Sequence, residues 1–215
     1  LEQARTSTVF GISAGGRIND VLINPSVSGA VNLSLNTFIV SKEFLKNLIL
    51  EGASRSLYSF EEDILQARTH EYNIVGYRHE NYFRKINSMV SYYDANMDLL
   101  DSVKRGKLFP ENAPVYTKVR DNPPAKYAIG ANVKNSLVAD GCIIEGTVEN
   151  CILFRGAKIG KGAVVKDSII MQDGVIGKNC EISCVITDKI VHITDGRIMT
   201  GSKNYPLYIG KGATI

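Results

Sequence analysis

Several features that define common protein classes are missing from this sequence of 215 residues. No apolar run approaches the roughly 18–20 residues that span a bilayer, so we expect no membrane partner. No run of Lys or Arg exceeds two residues and the net charge is only +3, so we expect no nucleic-acid partner either. Residues 1–7 are polar, which predicts no signal peptide, and they lack an initiator Met, which is typical of a fragment.

Aromatic residues are scarce in only one half of the chain. Phe154 is the single aromatic residue between positions 129 and 204, whereas residues 129–215 hold 12 of the 19 glycines and all four cysteines. Four of the six prolines lie between positions 110 and 124. This uneven composition predicts two unlike domains, residues 1–108 and 129–215, which are joined by a Pro-rich connector at 109–128.

Residues 1–108 mix strand and helix signals, which is typical of an α/β layer. Apolar runs at 9–12 and 17–23 flank Gly15 and Gly16. We expect a β-hairpin there rather than a phosphate-binding loop, because such a loop needs its glycines to open a helix. Further strands are predicted at 33–40 and 72–77, and helices are predicted after Ser41, Ser59 and Ser88, the first of them ending at Gly52.

Residues 129–215 repeat with a period of six. The pentapeptide Ile-Gly-Lys-Gly-Ala at 159–163 recurs at 209–213, and related units place a small or aliphatic residue four positions after a large aliphatic one. This hexapeptide signature predicts a left-handed parallel β-helix, in which three flat sides bury the aliphatic residues. Aromatic rings would overfill so narrow a prism. The step from 171 to 176 is five residues long, so we expect an irregular corner there.

The cysteines carry no signature of a metal site. No Cys-x-x-Cys is present, and the spacing of Cys180 and Cys184 does not fit a zinc knuckle. Cys142 and Cys180 occupy the compact inward position of the repeat, and Cys151 lies in the same aliphatic context. We therefore expect four buried free thiols in a reducing compartment, which favours a cytoplasmic protein without a metal.

Local motifs resemble one enzyme family in particular. Residues 81–100 are similar to the segment "GYWRDVGT…YxxANxDLL" of ADP-glucose pyrophosphorylases, residues 123–127 to their "PPAKF", and residues 136–146 to their "SLVSDGCIIEG". The resemblance covers roughly residues 9–215. It implies that residues 1–108 are the C-terminal remnant of a nucleotidyltransferase (Rossmann-like) α/β domain, and that a left-handed parallel β-helix of hexapeptide repeats follows. The family's Gly-rich nucleotide loop and catalytic Asp are not in this chain.

Residues of the family's sugar-phosphate pocket are replaced here. The resemblance places Asn24 and Pro25 at the family's "EKP", whose Lys holds the sugar phosphate, and a neutral amide cannot supply that charge. It places Ser34 at the start of the substrate strand "SMGIY", where Asn36 replaces the Gly that allows the sugar to approach closely. The resemblance therefore implies a degenerate pocket.

The family's metal position is also changed. Arg84 is retained from "RDVG", but Lys85 stands where the family has an Asp ligand of the catalytic magnesium. An ammonium group repels a cation, so the resemblance implies a chain with no catalytic residue and no cofactor of its own. Magnesium would be held by a catalytic partner. Retained Asn96 and Asp98 are expected to pin their helix, and a structural salt bridge is an alternative to an anion contact for Arg84.

Together these changes are similar to the regulatory, non-catalytic subunit type that some bacteria pair with a catalytic glucose-1-phosphate adenylyltransferase subunit. That enzyme converts ATP and glucose 1-phosphate to ADP-glucose and pyrophosphate in glycogen biosynthesis. The resemblance implies a hetero- or homo-oligomer with contacts through the β-helix, whose strand edges need covering. Two alternatives are a catalytic subunit with an altered pocket and a hexapeptide-repeat acyltransferase that uses acetyl-coenzyme A. His192 is the only candidate base for the acyltransferase, and its alternating strand context favours a surface or lining role.

Overall fold

A computed structural model describes residues 7–26 and 28–215. Its contacts divide the chain into two compact units, Leu1–Glu80 and Asn81–Ile215. The division comes earlier than the predicted domain boundary at 108, because the helix at residues 89–97 packs against the repeat region. None of the helices in the described ranges is both long and apolar enough to span a bilayer.

The first unit contains a small antiparallel sheet. Strands β1 (Thr8–Ile12), β2 (Ile18–Ile23) and β3 (Asn32–Leu33) are arranged in the order β2-β1-β3. The predicted hairpin is confirmed, and Gly16 in its turn adopts a φ of +80°. The other two strand predictions were too long. Only Leu33 of 33–40 lies in a strand, and residues 72–77 contribute a single bridge between Val75 and Arg17.

Two helical segments complete the first unit. Helix α1 (Lys42–Arg55) begins as predicted at Ser41, whose side chain accepts a hydrogen bond from the Phe44 N–H. It does not end at Gly52 but continues to Arg55, and Ser56 then reverses the chain with a φ of +56°. A wide helical turn (Phe60–Gln66) follows the predicted cap Ser59. The core is small, with Ile18, Val21 and Leu65 at its centre, and the antiparallel sheet leaves the Rossmann-like origin of this unit as a prediction.

The second unit is built on a parallel β-solenoid, which confirms the hexapeptide prediction, and its left-handed sense stays a prediction. Three parallel sheets of five strands form its sides. The first side contains β4 (Lys126–Tyr127), β7 (Ile143–Ile144), β10 (Lys158–Ile159), β13 (Val175–Ile176) and β16 (His192–Ile193). The second contains β5 (Asn132–Lys134), β8 (Thr147–Glu149), β11 (Val164–Lys166), β14 (Glu181–Ser183) and β17 (Ile198–Thr200). The third contains β6 (Leu137–Val138), β9 (Ile152–Leu153), β12 (Ile169–Ile170), β15 (Val185–Thr187) and β18 (Leu207–Ile209).

Compact and aliphatic side chains fill the solenoid core. Ile144, Ile159 and Ile193 are at most 1% exposed and stack above one another on the first side. All four cysteines are buried and free, as predicted. Burial raises the pKa of the Cys151 thiol to about 12. This thiol is therefore protonated and unreactive at neutral pH.

The number of residues in each corner of the solenoid explains where the sequence departs from the six-residue period. Every connection from the third side to the first has four residues, and 171–174 is one of them, so the predicted irregular corner there was wrong. The short connection is the one from the second side to the third, and it recurs in successive coils. There a residue in the left-handed region turns the chain, with φ between +44° and +53°: Asn135, Asn150, Asp167 and Cys184. Asn and Asp tolerate this conformation better than other side chains.

Helix α2 (Met89–Met97) covers the outer face of the third side. Ser88 caps it as predicted, and Tyr93 packs against Ile169 and Ile186, which are fully buried although they point out of the solenoid. The Tyr93 hydroxyl donates to the backbone oxygen of Asp167 at 2.7 Å. A short 3₁₀ turn (Asp98–Leu100) and helix α3 (Ser102–Leu108) follow, so α2 ties this region to the solenoid.

One corner of the second coil is unusually tight. Only Glu145 and Gly146 connect β7 to β8, whereas four residues connect the first and second sides in every other coil. A side chain on Gly146 would collide with the carbonyl oxygen of Ala163 and lie 2.9 Å from that of Gly160. Glycine is therefore required for steric reasons at this corner.

Replacing Gly146 with Ala should destabilise the second unit by about 1–3 kcal/mol, because backbone atoms of the next coil must move. Gly210→Ala is the matched control, since no atom lies within 4 Å of its added methyl group. Chemical denaturation followed by circular dichroism measures both variants. Equal stability of the two variants would contradict the steric argument.

Ile190 lies in the left-handed region with φ of +60°, although β-branched residues are strained there. Its side chain is 58% exposed, so little packing offsets the strain. Ile190→Asn should therefore raise the free energy of unfolding by about 1 kcal/mol. Ile198→Asn, at an exposed strand position, should be neutral or destabilising in the same denaturation experiment. A destabilised Ile190→Asn protein would show that the strain is not relieved.

Candidate functional site

The first unit brings three residues of the predicted pocket to one end of its sheet. The Asn24 N–H donates to the Ser7 oxygen at 3.0 Å, and the Ser34 N–H donates to the Thr8 oxygen at 2.8 Å. These residues therefore flank the start of β1. The Thr8 hydroxyl is buried there and has no hydrogen-bond partner among the residues that the structure describes.

Asn36 keeps the backbone shape that favours glycine. Its φ is +53°, and its N–H donates to the Ser34 hydroxyl at 3.1 Å. The Ser34 hydroxyl in turn donates to the Asn36 side-chain oxygen at 3.1 Å. Asn24 also has a positive φ, of +50°, and half-buried Pro25 follows it. These positions offer neutral hydrogen-bonding groups and no positive charge for a phosphate.

Arg84 and Lys85 lie in the second unit, where Arg84 is held by Asp98. The Asp98 carboxylate accepts hydrogen bonds from Arg84 Nε at 2.7 Å, from the Tyr82 hydroxyl at 2.9 Å and from Lys104 Nζ at 2.5 Å. Only 11% of the Asp98 side chain is exposed. The retained arginine thus forms the structural salt bridge that was one of its two expected roles. Asn96 donates to the Tyr92 oxygen within α2.

The electrostatics of this cluster favour its ionised form. Burial acts to raise the pKa of the Asp98 carboxyl, but hydrogen bonds from Lys104, Arg84 and Tyr82 outweigh it and hold that pKa below its ordinary value. The hydrogen bond to Asp98 correspondingly raises the pKa of Arg84. The charge of Arg84 is therefore largely neutralised within the protein.

The donor set does not fit a magnesium ion. Lys85, which the resemblance places at the family's metal position, is half-buried, and the residues that the structure describes contain no group of three His, Cys, Asp or Glu side chains able to hold a metal. A hard divalent cation prefers oxygen ligands.

His192, the candidate base of the acyltransferase alternative, lies on a strand of the first side. Its side chain is exposed on β16, and no hydroxyl or carboxylate from the described part of the chain hydrogen-bonds to its ring. A general base needs a group that orients it and a substrate pocket beside it. The structure favours the surface role that the strand pattern predicted.

Two structural features were not predicted from the sequence, and only one of them has a signal there. The salt-bridge cluster around Asp98 joins Lys104 to residues 82–84, and no local pattern links segments so far apart in sequence. The tight corner at Glu145 and Gly146 was visible in the sequence, because only four positions separate the inward residues Ile144 and Val148.

Comparisons with known proteins agree with this geometry. Residues 123–203 match the family model of the GlmU-like C-terminal hexapeptide domain. Together with the stacked parallel strands, the match defines the second unit as a hexapeptide-repeat β-helix.

Comparison with individual proteins indicates which relatives the chain resembles in sequence. The chain is 40% identical over 179 residues to the glycogen biosynthesis protein GlgD of Bacillus subtilis, which is 83% of this chain and 52% of that protein. It is 58% identical over 71 residues to GlgD of Geobacillus stearothermophilus, covering 33% of this chain and 21% of that protein. It is 32% identical over 197 residues to the glucose-1-phosphate adenylyltransferase of Acetivibrio thermocellus, covering 88% and 45%.

These similarities confirm the predicted resemblance to the ADP-glucose pyrophosphorylase family and, within it, to GlgD-type proteins. The chain spans about half the length of the curated relatives that it matches over most of its own length.

Asp98→Asn should reduce the free energy of unfolding of the second unit at pH 7 by about 1–3 kcal/mol, because a partly buried charge-assisted network loses its acceptor charge. Since the folded-state pKa of Asp98 is depressed, this stabilisation is present above the ordinary carboxyl pKa and is lost as pH falls through the folded-state value. In urea unfolding, the stability difference between wild type and variant should therefore be largest above the ordinary carboxyl pKa and should shrink as the pH falls below it. Exposed Asp121→Asn is the control, and a difference that does not depend on pH would refute the assignment.

Proposed function

We propose that this chain is part of a regulatory, catalytically impaired subunit of glucose-1-phosphate adenylyltransferase, which acts in glycogen biosynthesis. The observation that carries the proposal is the pair Arg84 and Lys85. The arginine is bound to Asp98, and the resemblance aligns the Lys85 ammonium group with the family's metal ligand. Reaction at a phosphoryl group depends chiefly on positioned charge and metal, so these changes weigh against catalysis by this subunit.

The sugar-phosphate side of the pocket supports the same proposal. Asn24 on one side of β1, and Ser34 with Asn36 on the other, flank one end of the sheet and present only neutral groups. Binding of a phosphate monoester is normally favoured by Lys or Arg. In the proposed complex, the catalytic subunit therefore supplies the lysine for glucose 1-phosphate, the carboxylates for magnesium and the site for ATP.

In this proposal the solenoid serves in subunit assembly. Helix α2 covers the third side, while exposed apolar side chains remain on the second side and at the last coil, including Ile198 at 72% and Tyr205 at 81% exposure. Unpaired strand edges at the ends of a solenoid also need covering. We propose that these surfaces contact the catalytic subunit in a cytoplasmic hetero-oligomer. The four buried thiols are consistent with a reducing environment.

The proposal is tested with the intact subunit that contains this chain, assayed alone and after co-expression with a catalytic glucose-1-phosphate adenylyltransferase. Alone, it should form ADP-glucose at least about 100-fold more slowly than the catalytic subunit, because a charge and a metal ligand are missing. The two proteins should elute together in size-exclusion chromatography, and the mixture should differ from the catalytic subunit in kcat or KM.

A matched variant sharpens this test. Lys85→Ala removes the positive charge without restoring a ligand, so it should leave the subunit inactive, whereas Lys85→Asp should restore measurable magnesium binding. Strong activity of the unaltered subunit alone would instead support a catalytic enzyme with an altered pocket. Separate elution with unchanged kinetics would exclude the regulatory role.

A further inference from the structure

The connector between helix α3 and the solenoid contains a segment whose backbone has no partner. Residues 114–121 form no helix, turn, bend or strand, and all of them are exposed. None of the residues 115–119 donates or accepts a hydrogen bond within residues 7–26 and 28–215. Both edges of this stretch are therefore open, whereas every strand of the solenoid pairs along at least one edge.

The residue types of this stretch favour a β-strand. Val115, Thr117 and Val119 are β-branched and Tyr116 is aromatic, and both classes are enriched in strands. Because side chains alternate along a strand, the three β-branched residues would share one face. Tyr116 and Lys118 would lie on the other face. The connector thus holds a segment with the pattern of a strand but without a sheet.

Exposed apolar surface accompanies the open backbone. Val115 is 61%, Tyr116 is 91% and Val119 is 83% exposed. Removal of such surface from water is the main favourable term in protein association. Pro114 and Pro123 bound the segment, because proline cannot donate to a ladder of hydrogen bonds. A strand added along this segment would satisfy its backbone and cover its apolar side chains together.

The segment is complementary to itself in one antiparallel register. When Thr117 lies opposite Thr117 of a second copy, Val115 lies opposite Val119 of that copy. On the other face Tyr116 then lies opposite Lys118, which pairs an aromatic ring with a cation on an aliphatic stem. A register centred on Lys118 would place two like charges opposite each other, which is unfavourable. Side-chain chemistry therefore selects a two-fold pairing centred on Thr117.

The backbone at both ends of the segment fits the same register. Opposite residues of an antiparallel pair alternate between hydrogen-bonded and non-hydrogen-bonded positions. Pro114 has no N–H, and the Arg120 carbonyl already accepts a hydrogen bond from the Asn122 N–H at 3.0 Å. The register places Pro114 opposite Arg120 in a pair without hydrogen bonds, so neither residue loses one. The odd-numbered residues of 115–119 then occupy the hydrogen-bonded positions.

We propose that residues 115–120 are an interaction surface for a second copy of this chain, with which they form a two-stranded antiparallel sheet centred on Thr117. The odd-numbered residues exchange backbone hydrogen bonds, and the apolar side chains pair across the two-fold axis. The surface lies wholly within the second unit. It is separate from the second side and the last coil of the solenoid, so it does not depend on the contact proposed with the catalytic subunit.

Amide hydrogen exchange of the full chain, followed by nuclear magnetic resonance at increasing protein concentration, tests the register. The N–H groups of Val115, Thr117 and Val119 should exchange about 10-fold more slowly once about 90% of the chain is paired, because they donate across the pair. Those of Tyr116 and Lys118 point away from the second copy and should exchange at an unchanged rate. Equal protection of both sets, or protection of neither, would overturn the proposal.

Single cysteine variants test the same register covalently, because the four native thiols are buried. Thr117→Cys faces its own copy within the Cα separation that a disulfide requires, so oxidised glutathione should convert it to a covalent dimer. Val119→Cys is the matched control. It lies about 14 Å along the strands from its own copy and should remain monomeric. An equimolar mixture of Val115→Cys and Val119→Cys should again form a covalent dimer.

A charge variant tests the contact without a cross-link. Thr117→Glu places like charges opposite each other and should weaken self-association about 5-fold in sedimentation equilibrium, whereas exposed Lys203→Glu should not change it. Both variants should keep the circular dichroism spectrum of the wild type, because both positions are exposed. Equal cross-linking of Thr117→Cys and Val119→Cys would indicate random collision, and a wild-type chain that stays monomeric at high concentration would indicate a different partner. Either result would refute pairing between copies.

Discussion

The narrow triangular section of the solenoid is the constraint on which the rest of the second unit depends. Three strands must turn within a few residues, so each corner needs a left-handed residue or a glycine, and each inward side chain must be aliphatic or compact. Asn135 and Asn150 meet this need and also join successive coils, because their side chains hydrogen-bond at 2.7 Å. Stability and turn geometry thus come from the same residues.

The same constraint organises the region before the solenoid. A flat third side exposes an aliphatic column, and α2 buries it through Tyr93. The helix then leads directly to Asp98, which binds Arg84 and Lys104. Residues 81–108 therefore belong to the solenoid unit, because α2 packs against the β-helix and the ion pairs of Asp98 hold Arg84 and Lys104 next to that helix.

The predictable parts of this structure are those with local signals. Recurrent hexad spacing and the scarcity of rings identified the solenoid, and Ser41, Ser59 and Ser88 identified three helix starts, because cap and turn chemistry act over a few residues. Strand lengths failed in the first unit. Residues 34–40 have apolar character but no partner strand along their length. Which strands pair depends on segments distant in sequence, so the local pattern does not predict it.

By itself, the sequence determined the repeat and the buried thiols, since both follow from residue type and spacing. Only the tertiary structure decided that Arg84 is neutralised by Asp98, that the domain division falls at residue 80, and that no described residue pairs with the backbone of residues 115–119. The physical reason is that ion pairs, packing and unmade hydrogen bonds depend on which segments meet in space, and residues distant in sequence meet only after the coils have stacked.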